Sequence, residues 1–186
     1  MKKFSVQAWM SLDGVFDAET MGDWWNQFDG PERRAHILAG IASADALVLG
    51  RRTYEMLAPY WSSFKDDADE RAPLAAKLNS APKYVVSSTL KSADWNNTTI
   101  IRAGAAEALS HLKRDQQLRL IGSATLVHSL SAQRIIDEYD FLVTPVIMGR
   151  GRRFFDGGKN TVRLQLRESR ALSQGVIALC YEPSNT

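Results

Sequence analysis

The sequence predicts an α/β fold in three layers, with a largely parallel sheet covered by helices on both faces. Short runs rich in β-branched and aliphatic residues recur along the chain, and stretches of helical period separate several of them. The short links between strand and helix imply right-handed crossovers, which make neighbouring strands parallel. In the last third, extended runs follow one another without a helical stretch, so antiparallel strands are expected at one edge of the sheet.

Eight runs of the sequence are predicted to be strands. The earlier runs are FSVQAWM, ALVLG, KYVVSS, TTIIRA and LRLIGS. The later ones, joined by Gly-rich or polar turns, are EYDFLVTPVIMG, VRLQLRESRAL and GVIALCYEP.

The predicted helices lie between these runs. The segment from Pro31 to Ala44 follows a glycine, begins with proline and carries an acidic residue in its first turn. It places Ile37, Leu38 and Ile41 on one face, as an amphipathic helix does. Further helices are predicted over Thr53 to Leu57, Ala68 to Leu78, Ala105 to Lys113 and Thr125 to Leu130.

Composition limits the class of protein. The 186 residues, 45% hydrophobic and 24% charged, fit one soluble domain, so residues 1–186 are predicted to form a single domain. Lys and Arg outnumber Asp and Glu by only 23 to 21, and this scattered charge predicts no nucleic-acid partner. No apolar run is long enough to cross a bilayer, and the single Cys180 excludes an internal disulfide. We expect a cytoplasmic protein without a membrane partner.

Two strand ends carry residues suited to an anion. After ALVL comes Gly50-Arg51-Arg52-Thr53, where glycine allows close approach of the backbone, arginine supplies forked donors and threonine can cap a helix or bind phosphate. After LRLI comes Gly122-Ser123-Ala124-Thr125, again small residues and a hydroxyl at a predicted helix start. Neither stretch is a Walker P-loop or a Rossmann glycine motif. Two anion sites on adjacent crossovers would suit a dinucleotide, whereas ordinary helix caps remain the alternative.

Taken together, several stretches make the chain resemble the dihydrofolate reductase-like superfamily over nearly its whole length. They are, in order, SLDG, LGRRTYE, KYVVSS, LIGSATLVHSL and VTPVIMGRGRRFF. In particular, the chain is similar to the group related to the C-terminal reductase domain of the bifunctional riboflavin-biosynthesis protein. The resemblance implies an NADPH-dependent reductase with a mostly parallel sheet of about eight strands.

The resemblance also assigns coenzyme-binding residues. Gly50, Arg51, Arg52 and Thr53 would hold phosphates, and Ser87 and Ser88 would meet the adenosine 2′-phosphate, which Arg51 could also reach. The pyrophosphate and the nicotinamide side would be contacted by Gly122, Ser123, Ala124, Thr125 and Leu126, with Ala8 as a further cofactor contact. Dihydrofolate reductases carry a Gly-Gly pair where this chain has Gly122-Ser123.

Hydride transfer to a C=N or C=O carbon needs close alignment and a proton source, commonly a carboxylic acid. The candidates are Asp13, Asp17 and Glu19, and Asp13 is favoured because it lies in the SLDG loop. The alternative for Asp13 is an ordinary Asp-Gly turn.

Two features bear on the substrate. Trp24 and Trp25 could stack on a flat heterocycle, or could instead seal a core edge or a dimer contact. Arg150, Arg152 and Arg153 lie among glycines and suit a substrate phosphate, although a solvated basic loop is the alternative. The three histidines show no metal-ligand spacing, so no metal site is predicted.

The leading hypothesis is an NADPH-dependent reductase of a small heterocycle, similar to 5-amino-6-(5-phosphoribosylamino)uracil reductase of riboflavin synthesis. A pterin or dihydrofolate reductase is an alternative, although no carboxylate falls on the expected position of the helix that begins near Glu32. A second alternative is a non-catalytic NADPH-binding sensor or scaffold. The late strands, with Val143, Val146 and Ile147, suggest a homodimer edge, and burial within one subunit explains these residues equally well.

Overall fold

One sheet of eight strands organises residues 2–156 and 161–184, the part of the chain that the computed structural model describes. The strands are β1 (Phe4–Ser11), β2 (Ala46–Gly50), β3 (Lys83–Val86), β4 (Thr98–Ile101), β5 (Leu118–Leu120), β6 (Glu138–Thr144), β7 (Leu164–Ala171) and β8 (Ile177–Pro183). Their order across the sheet is β4-β3-β2-β5-β1-β6-β8-β7. All pairs from β4 to β6 are parallel, whereas β8 is antiparallel to both of its neighbours. The predicted parallel sheet with antiparallel C-terminal strands is confirmed.

Helices cover both faces of this sheet. They are α1 (Met21–Trp24), α2 (Pro31–Ala42), α3 (Arg51–Ser62), α4 (Ala72–Ser80), α5 (Ala105–Leu112) and α6 (Ala124–Ala132). Alternate residues of β2 enter two separate cores, because successive strand side chains point to opposite faces. Val48 packs in one core with Leu109 of α5 and Leu130 of α6, and Leu47 packs in another with Ile41 of α2. The three predicted layers are therefore present.

Several element boundaries differ from the sequence prediction. Helix α3 runs to Ser62 rather than Leu57 and includes Pro59. Helix α4 begins at Ala72 rather than Ala68, with a proline in its first turn, where the missing N–H costs nothing. Strand β6 ends at Thr144, directly before Pro145, since proline cannot donate to the sheet. The short 3₁₀ turns at Ala18–Thr20, Asn26–Phe28 and Ser173–Gly175 were not predicted.

The expected position of Val143, Val146 and Ile147 at a sheet edge was wrong. Strand β6, which contains Val143, lies between β1 and β8, and the edge strand on this side is β7. Val146 follows the end of β6, and Ile147 is 74% exposed in the adjoining loop. The homodimer itself stays a prediction.

A buried polar network lies between the sheet and α2. Arg119 on β5 donates from Nη2 to Asp140 Oδ2 on β6 at 3.1 Å, and its Nε donates to the carbonyl of Gly40. Gln7 Nε2 on β1 donates to the same carboxylate oxygen at 3.1 Å, and His36 Nε2 lies 2.8 Å from Asp140 Oδ1. Gly40 is required here because a Cβ would lie 2.0 Å from Arg119 Nη2. The network fixes α2 against the centre of the sheet.

Within residues 2–156 and 161–184, the helices are all too short or too polar to span a membrane.

Candidate functional site

The starts of α3 and α6 meet at the carboxyl ends of β2 and β5, which are neighbours in the sheet. The Gly50 N–H donates to the Gly122 carbonyl at 2.8 Å and joins the two strand ends directly. A Cβ on Gly50 would lie 2.6 Å from Ser123 Oγ, so only glycine allows this approach. Gly122 has φ +116, a conformation that favours glycine, and the Gly122–Ser123 peptide bond is cis.

Both helix starts leave their first N–H groups without a side-chain cap. The N-cap residues are Gly50 for α3 and Ser123 for α6, and neither forms a side-chain capping hydrogen bond. Uncapped N–H groups and the helix dipole together favour an anion. Two such starts in contact offer one site for two linked phosphates.

The two helix starts open into a cleft of about 720 Å³, here called the helix-tip cleft. Six of the predicted cofactor residues line it: Arg51, Arg52, Thr53, Ser123, Ala124 and Thr125. Further walls come from β1, from α1 and from the segment between them: Trp9, Phe16, Asp17, Ala18, Glu19, Met21 and Trp24. The Arg51 guanidinium is half-exposed and bonds Glu55 at 3.1 Å, whereas the Arg52 side chain has no partner among the described residues. Cationic donors are therefore available beside the uncapped N–H groups.

The remaining predicted cofactor residues surround the cleft without lining it. Gly50 and Gly122 form the joint between the strand ends, and Ala8 and Leu126 are buried in the core. Ser87 and Ser88 follow β3, whose last residue is paired with Gly50, and so lie on the β3 side of the α3 start. The Ser87 hydroxyl accepts hydrogen bonds from the N–H groups of its own turn, and Ser88 is exposed.

Asp13 occupies a structural position that argues against its predicted role as proton donor. Its carboxylate accepts hydrogen bonds from Ser11 Oγ at 2.7 Å and from the N–H groups of Met148 and Gly149 at 3.0 and 2.9 Å. The Ser11 hydroxyl, with these N–H groups, lowers the pKa of Asp13 from 3.8 to about 2. A general acid needs the opposite shift. Asp13 also does not line the cleft, so we correct its role to that of joining the loop after β1 to the loop after β6.

The low pKa gives a stability prediction. The folded pKa of Asp13 lies below its unfolded value of 3.8, so its stabilisation is complete above about pH 4 and is lost as the pH falls through about 2. Urea unfolding at pH 7, 4 and 3 should show that Asp13→Asn has a lower free energy of unfolding than the wild type. The difference should be largest at pH 7 and smallest at pH 3. Asp67→Asn, which removes one negative charge from an exposed loop, is the control. A difference in free energy of unfolding that grows towards pH 3 would contradict the lowered pKa of Asp13.

The carboxyl groups that do face the helix-tip cleft are those of Asp17 and Glu19. Asp17 Oδ1 accepts from the Glu19 N–H at 3.2 Å, and Oδ2 accepts from the Arg152 N–H at 3.3 Å. These contacts fix the Asp17 carboxylate at the cleft wall. Sequence reasoning named both residues but ranked them below Asp13 because Asp13 lies in the SLDG loop. The partners that hold the Asp13 carboxylate lie about 135 residues further along the chain and gave no local signal.

Trp24 and Trp25 are both buried, at 0% and 6% exposure. The Trp25 ring stacks on Trp9 at a centroid distance of 5.0 Å, and the Arg33 guanidinium carbon lies 3.9 Å from its centre. Trp24 donates from Nε1 to the Asp17 carbonyl. The rings thus seal a core edge, the alternative considered above, while each still forms part of a cavity wall. Their contact with a substrate stays a prediction.

Arg150 and Arg152 have different surroundings. The Arg150 side chain is 76% exposed and contacts Asp23 at 3.5 Å, as expected for a solvated loop. Arg152 lines the helix-tip cleft opposite the helix starts, and its side chain is without a partner in the described ranges. Arg152 is therefore the better placed of the two for an anionic ligand.

A second cavity of about 560 Å³, here called the aromatic cavity, was not predicted from the sequence. It lies between α2, α3 and α4 and shares Trp9, Met21, Met56 and Ile121 with the helix-tip cleft, so the two spaces adjoin. Its other walls are Trp25, Asn26, Asp29, Arg33, Arg34, Ile37, Ile41, Leu57, Tyr60, Trp61, Arg71, Leu74 and Leu78. These residues come from separate elements, and of them only Trp25 was singled out in the sequence, as a stacking surface for a heterocycle.

Comparisons with known proteins agree with this geometry. The family model described as RibD C-terminal domain matches residues 2–178. The uncharacterized protein YyaP of Bacillus subtilis (strain 168) is 27% identical over 174 residues, which are 92% of this chain and 90% of YyaP.

Solved structures share the fold. A putative riboflavin biosynthesis protein from Shewanella sp. PV-4 has a TM-score of 0.79 at 17% identity, over 98% of this chain and 99% of that one. Dihydrofolate reductase from Enterococcus faecalis, complexed with NADP(H), has a TM-score of 0.65 at 12% identity, over 98% of this chain and 97% of that one. The dihydrofolate reductase-like fold and the family resemblance are therefore confirmed.

Proposed function

The chain belongs to the RibD C-terminal domain family, and we propose from this that it is an NADPH-dependent reductase of a small heterocyclic substrate. The observation that carries the proposal is the contact between the uncapped starts of α3 and α6 in one cleft. A dinucleotide has two linked phosphates, which match two adjacent N–H clusters. The NADP(H) complex of the E. faecalis reductase, which has the same fold, supports this choice of coenzyme.

The residues of the cleft fit the coenzyme by their chemistry. The N–H groups that follow Gly50 and Ser123 would bind the pyrophosphate, and Arg51 and Arg52 would neutralise phosphate charge. When bound, NADPH supplies the hydride. Trp9, Met56 and the other two residues shared by both cavities would line the junction where hydride donor and acceptor meet.

The reaction also needs a proton at the electron-rich product atom. Of the three carboxyl groups considered from the sequence, those of Asp17 and Glu19 line the cleft. Asp17 is fixed by the N–H groups of Glu19 and Arg152, while Glu19 is exposed. Because the Asp17 carboxylate accepts from backbone N–H groups as that of Asp13 does, we propose that Glu19, whose carboxyl has no hydrogen-bond partner among the described residues, delivers the proton.

The contacts of α2 weigh against a pterin or folate substrate. Glu32, the acidic residue in the first turn of α2, does not line the aromatic cavity, and its carboxylate accepts from the Ser173 N–H instead. Asp29 does line the cavity but is held by Arg33 and Arg34. Burial alone would raise the pKa of Asp29, yet these two arginines together hold it below its ordinary value. This carboxylate is therefore already neutralised and poorly placed to bind a pterin.

Arg51→Ala tests the coenzyme assignment. We expect calorimetric titration to show a loss of NADPH affinity of roughly 10–100-fold, since a charged hydrogen bond contributes about 1.5–3 kcal/mol, with little change for NADH. Arg114→Ala, which removes an exposed arginine after α5, is the matched control and should leave both affinities unchanged. Equal losses of affinity for the two coenzymes would indicate that Arg51 binds the pyrophosphate, which NADPH and NADH share. No loss of affinity for either coenzyme would show that Arg51 does not contact the coenzyme.

Loss of near-ultraviolet NADPH absorbance in the presence of a heterocycle separates a reductase from a non-catalytic sensor. A reductase consumes the coenzyme, whereas a sensor binds NADPH and leaves its absorbance constant.

A further inference from the structure

Strand β7 forms one edge of the sheet and is exposed along almost its whole length. It has eight residues, and every one of them except Leu164 is exposed. Its outer side has no strand partner within residues 2–156 and 161–184. A long exposed edge strand presents open backbone N–H and C=O groups, to which another strand can be added. Its side chains then decide which strand can pair with it.

A β-bulge at Arg167 divides β7 into two halves. Leu166 lies opposite Tyr181 of β8 and Glu168 lies opposite Cys180, so Arg167 is an extra residue. Successive strand residues alternate between the two faces of a sheet, and the bulge shifts this alternation by one position. Residues that lie opposite each other share a face. The partners on β8 therefore assign one face of β7 to Leu164, Leu166, Ser169 and Ala171, and the other to Gln165, Glu168 and Arg170.

Arg167 itself belongs with the second of these faces. Its Nε lies 3.4 Å from Glu182 Oε2, and Glu182 is opposite Gln165 on that face. Arg167 and Glu168, of opposite charge, thus follow each other along β7 and lie on the same side of the sheet.

This order of side chains is complementary to itself. When two copies of β7 run antiparallel about a two-fold axis between Arg167 and Glu168, every residue meets one that lies on the same face of the other copy. The pairs are Arg167 with Glu168, Leu166 with Ser169, Gln165 with Arg170, and Leu164 with Ala171. A shift of the register by one or two residues in either direction would place side chains of one face opposite side chains of the other, so the bulge selects this register.

Charge and apolar exposure favour the same pairing. The Glu168 carboxylate has no partner among the described residues, and the Arg167 side chain, 55% exposed, contacts only Glu182. Opposite charges directly across an antiparallel pair stabilise it. Leu166, which is 49% exposed, would be partly covered by the added strand.

We propose that β7 pairs antiparallel with β7 of a second copy of this chain, so that the two eight-stranded sheets join into one sheet across a two-fold axis. The pairing closes the open edge of both copies, which prevents further addition of strands there. Because β7 lines neither the helix-tip cleft nor the aromatic cavity, the proposal is independent of the coenzyme and of the substrate.

Sedimentation equilibrium of the full chain over a micromolar concentration range tests the pairing. The wild type should sediment as a dimer. Glu168→Arg places an arginine opposite Arg167, and Arg167→Glu places a glutamate opposite Glu168, so each variant alone should raise the dissociation constant of the dimer at least about tenfold. Glu107→Arg, the matched control, makes the same charge reversal on the exposed surface of α5 and should leave the dissociation constant unchanged.

Mixing the two variants tests the register. In a mixed dimer, both central pairs join an arginine of one chain to a glutamate of the other, so an equimolar mixture should regain a dissociation constant close to that of the wild type. Thermal melts check that each variant folds, because Arg167→Glu also removes the contact with Glu182. The wild type and Glu168→Arg test the pairing without that variant.

Three results would overturn the proposal. A wild type that is monomeric throughout this concentration range has no such interface. A dimer that neither charge reversal weakens is joined through another surface. A mixture of folded variants that stays monomeric shows that Arg167 and Glu168 do not lie opposite each other, and the register then fails.

Discussion

Replacing Asp140 by alanine should lower the free energy of unfolding by about 3–5 kcal/mol, because it leaves the Arg119 guanidinium buried without its counter-charge. Arg119 and Asp140 have side chains only 6% and 8% exposed, and their charged groups are 3.1 Å apart. Burial lowers the pKa of Arg119, and the Asp140 carboxylate opposes that shift. Gln7 and His36 also lose their acceptor when the carboxylate is removed.

Urea denaturation measures this loss in the free energy of unfolding. The dependence of that free energy on urea concentration should be the same in variant and wild type, which checks that unfolding remains two-state. The control is Lys2→Ala, which breaks an ion pair whose side chains are 50% and 49% exposed and should cost at most about 1 kcal/mol. A double variant, Arg119→Met with Asp140→Leu, should recover much of the loss because no unpaired charge remains. If Asp140→Ala lowered the free energy of unfolding as little as Lys2→Ala does, this would show that water reaches the Arg119–Asp140 pair.

This network also shows where sequence reasoning stops. Arg119 and Asp140 each interrupt an apolar strand, and nothing local distinguishes a buried ion pair from two solvent-facing residues. They meet only because β1 lies between β5 and β6, with Ser5 opposite Arg119 and Gln7 opposite Asp140. Strand order is a long-range property, and a single sequence does not carry it.

Features encoded in contiguous residues were predictable. The strands, the longer helices and the glycine-led helix starts follow from periodicity and from short motifs such as Gly50-Arg51-Arg52-Thr53. Asp13 shows the limit of a motif. The SLDG loop was identified from the sequence, but the role of the Asp13 carboxylate was not, because its partners Met148 and Gly149 lie in a distant part of the chain. The aromatic cavity is assembled from several elements, and of its lining residues only Trp25 was singled out in the sequence, as a stacking surface.

Gly122→Ala should weaken coenzyme binding, because Gly122 lies at the joint between the starts of α3 and α6. Gly122 has φ +116, and its Cβ would lie 3.0 Å from Thr53 Oγ1 and 3.4 Å from Phe16 Cζ. The strained backbone costs about 1–3 kcal/mol. The contact also pushes the start of α3 away from the start of α6, so we expect NADPH affinity to fall roughly 10–100-fold, or about 1.4–2.7 kcal/mol.

Gly104→Ala is the matched control for backbone strain. Gly104 has φ +60 and caps α5, and a Cβ there would meet no atom within 4 Å. This variant should lose about 1 kcal/mol of stability and bind NADPH as the wild type does. Calorimetric titration of both variants measures NADPH affinity, and urea unfolding measures stability. Together they separate the effect of backbone strain from that of displacing the helix starts. If folded Gly122→Ala kept full NADPH affinity, the two N–H clusters would not need their present spacing, and the dinucleotide would have to bind elsewhere.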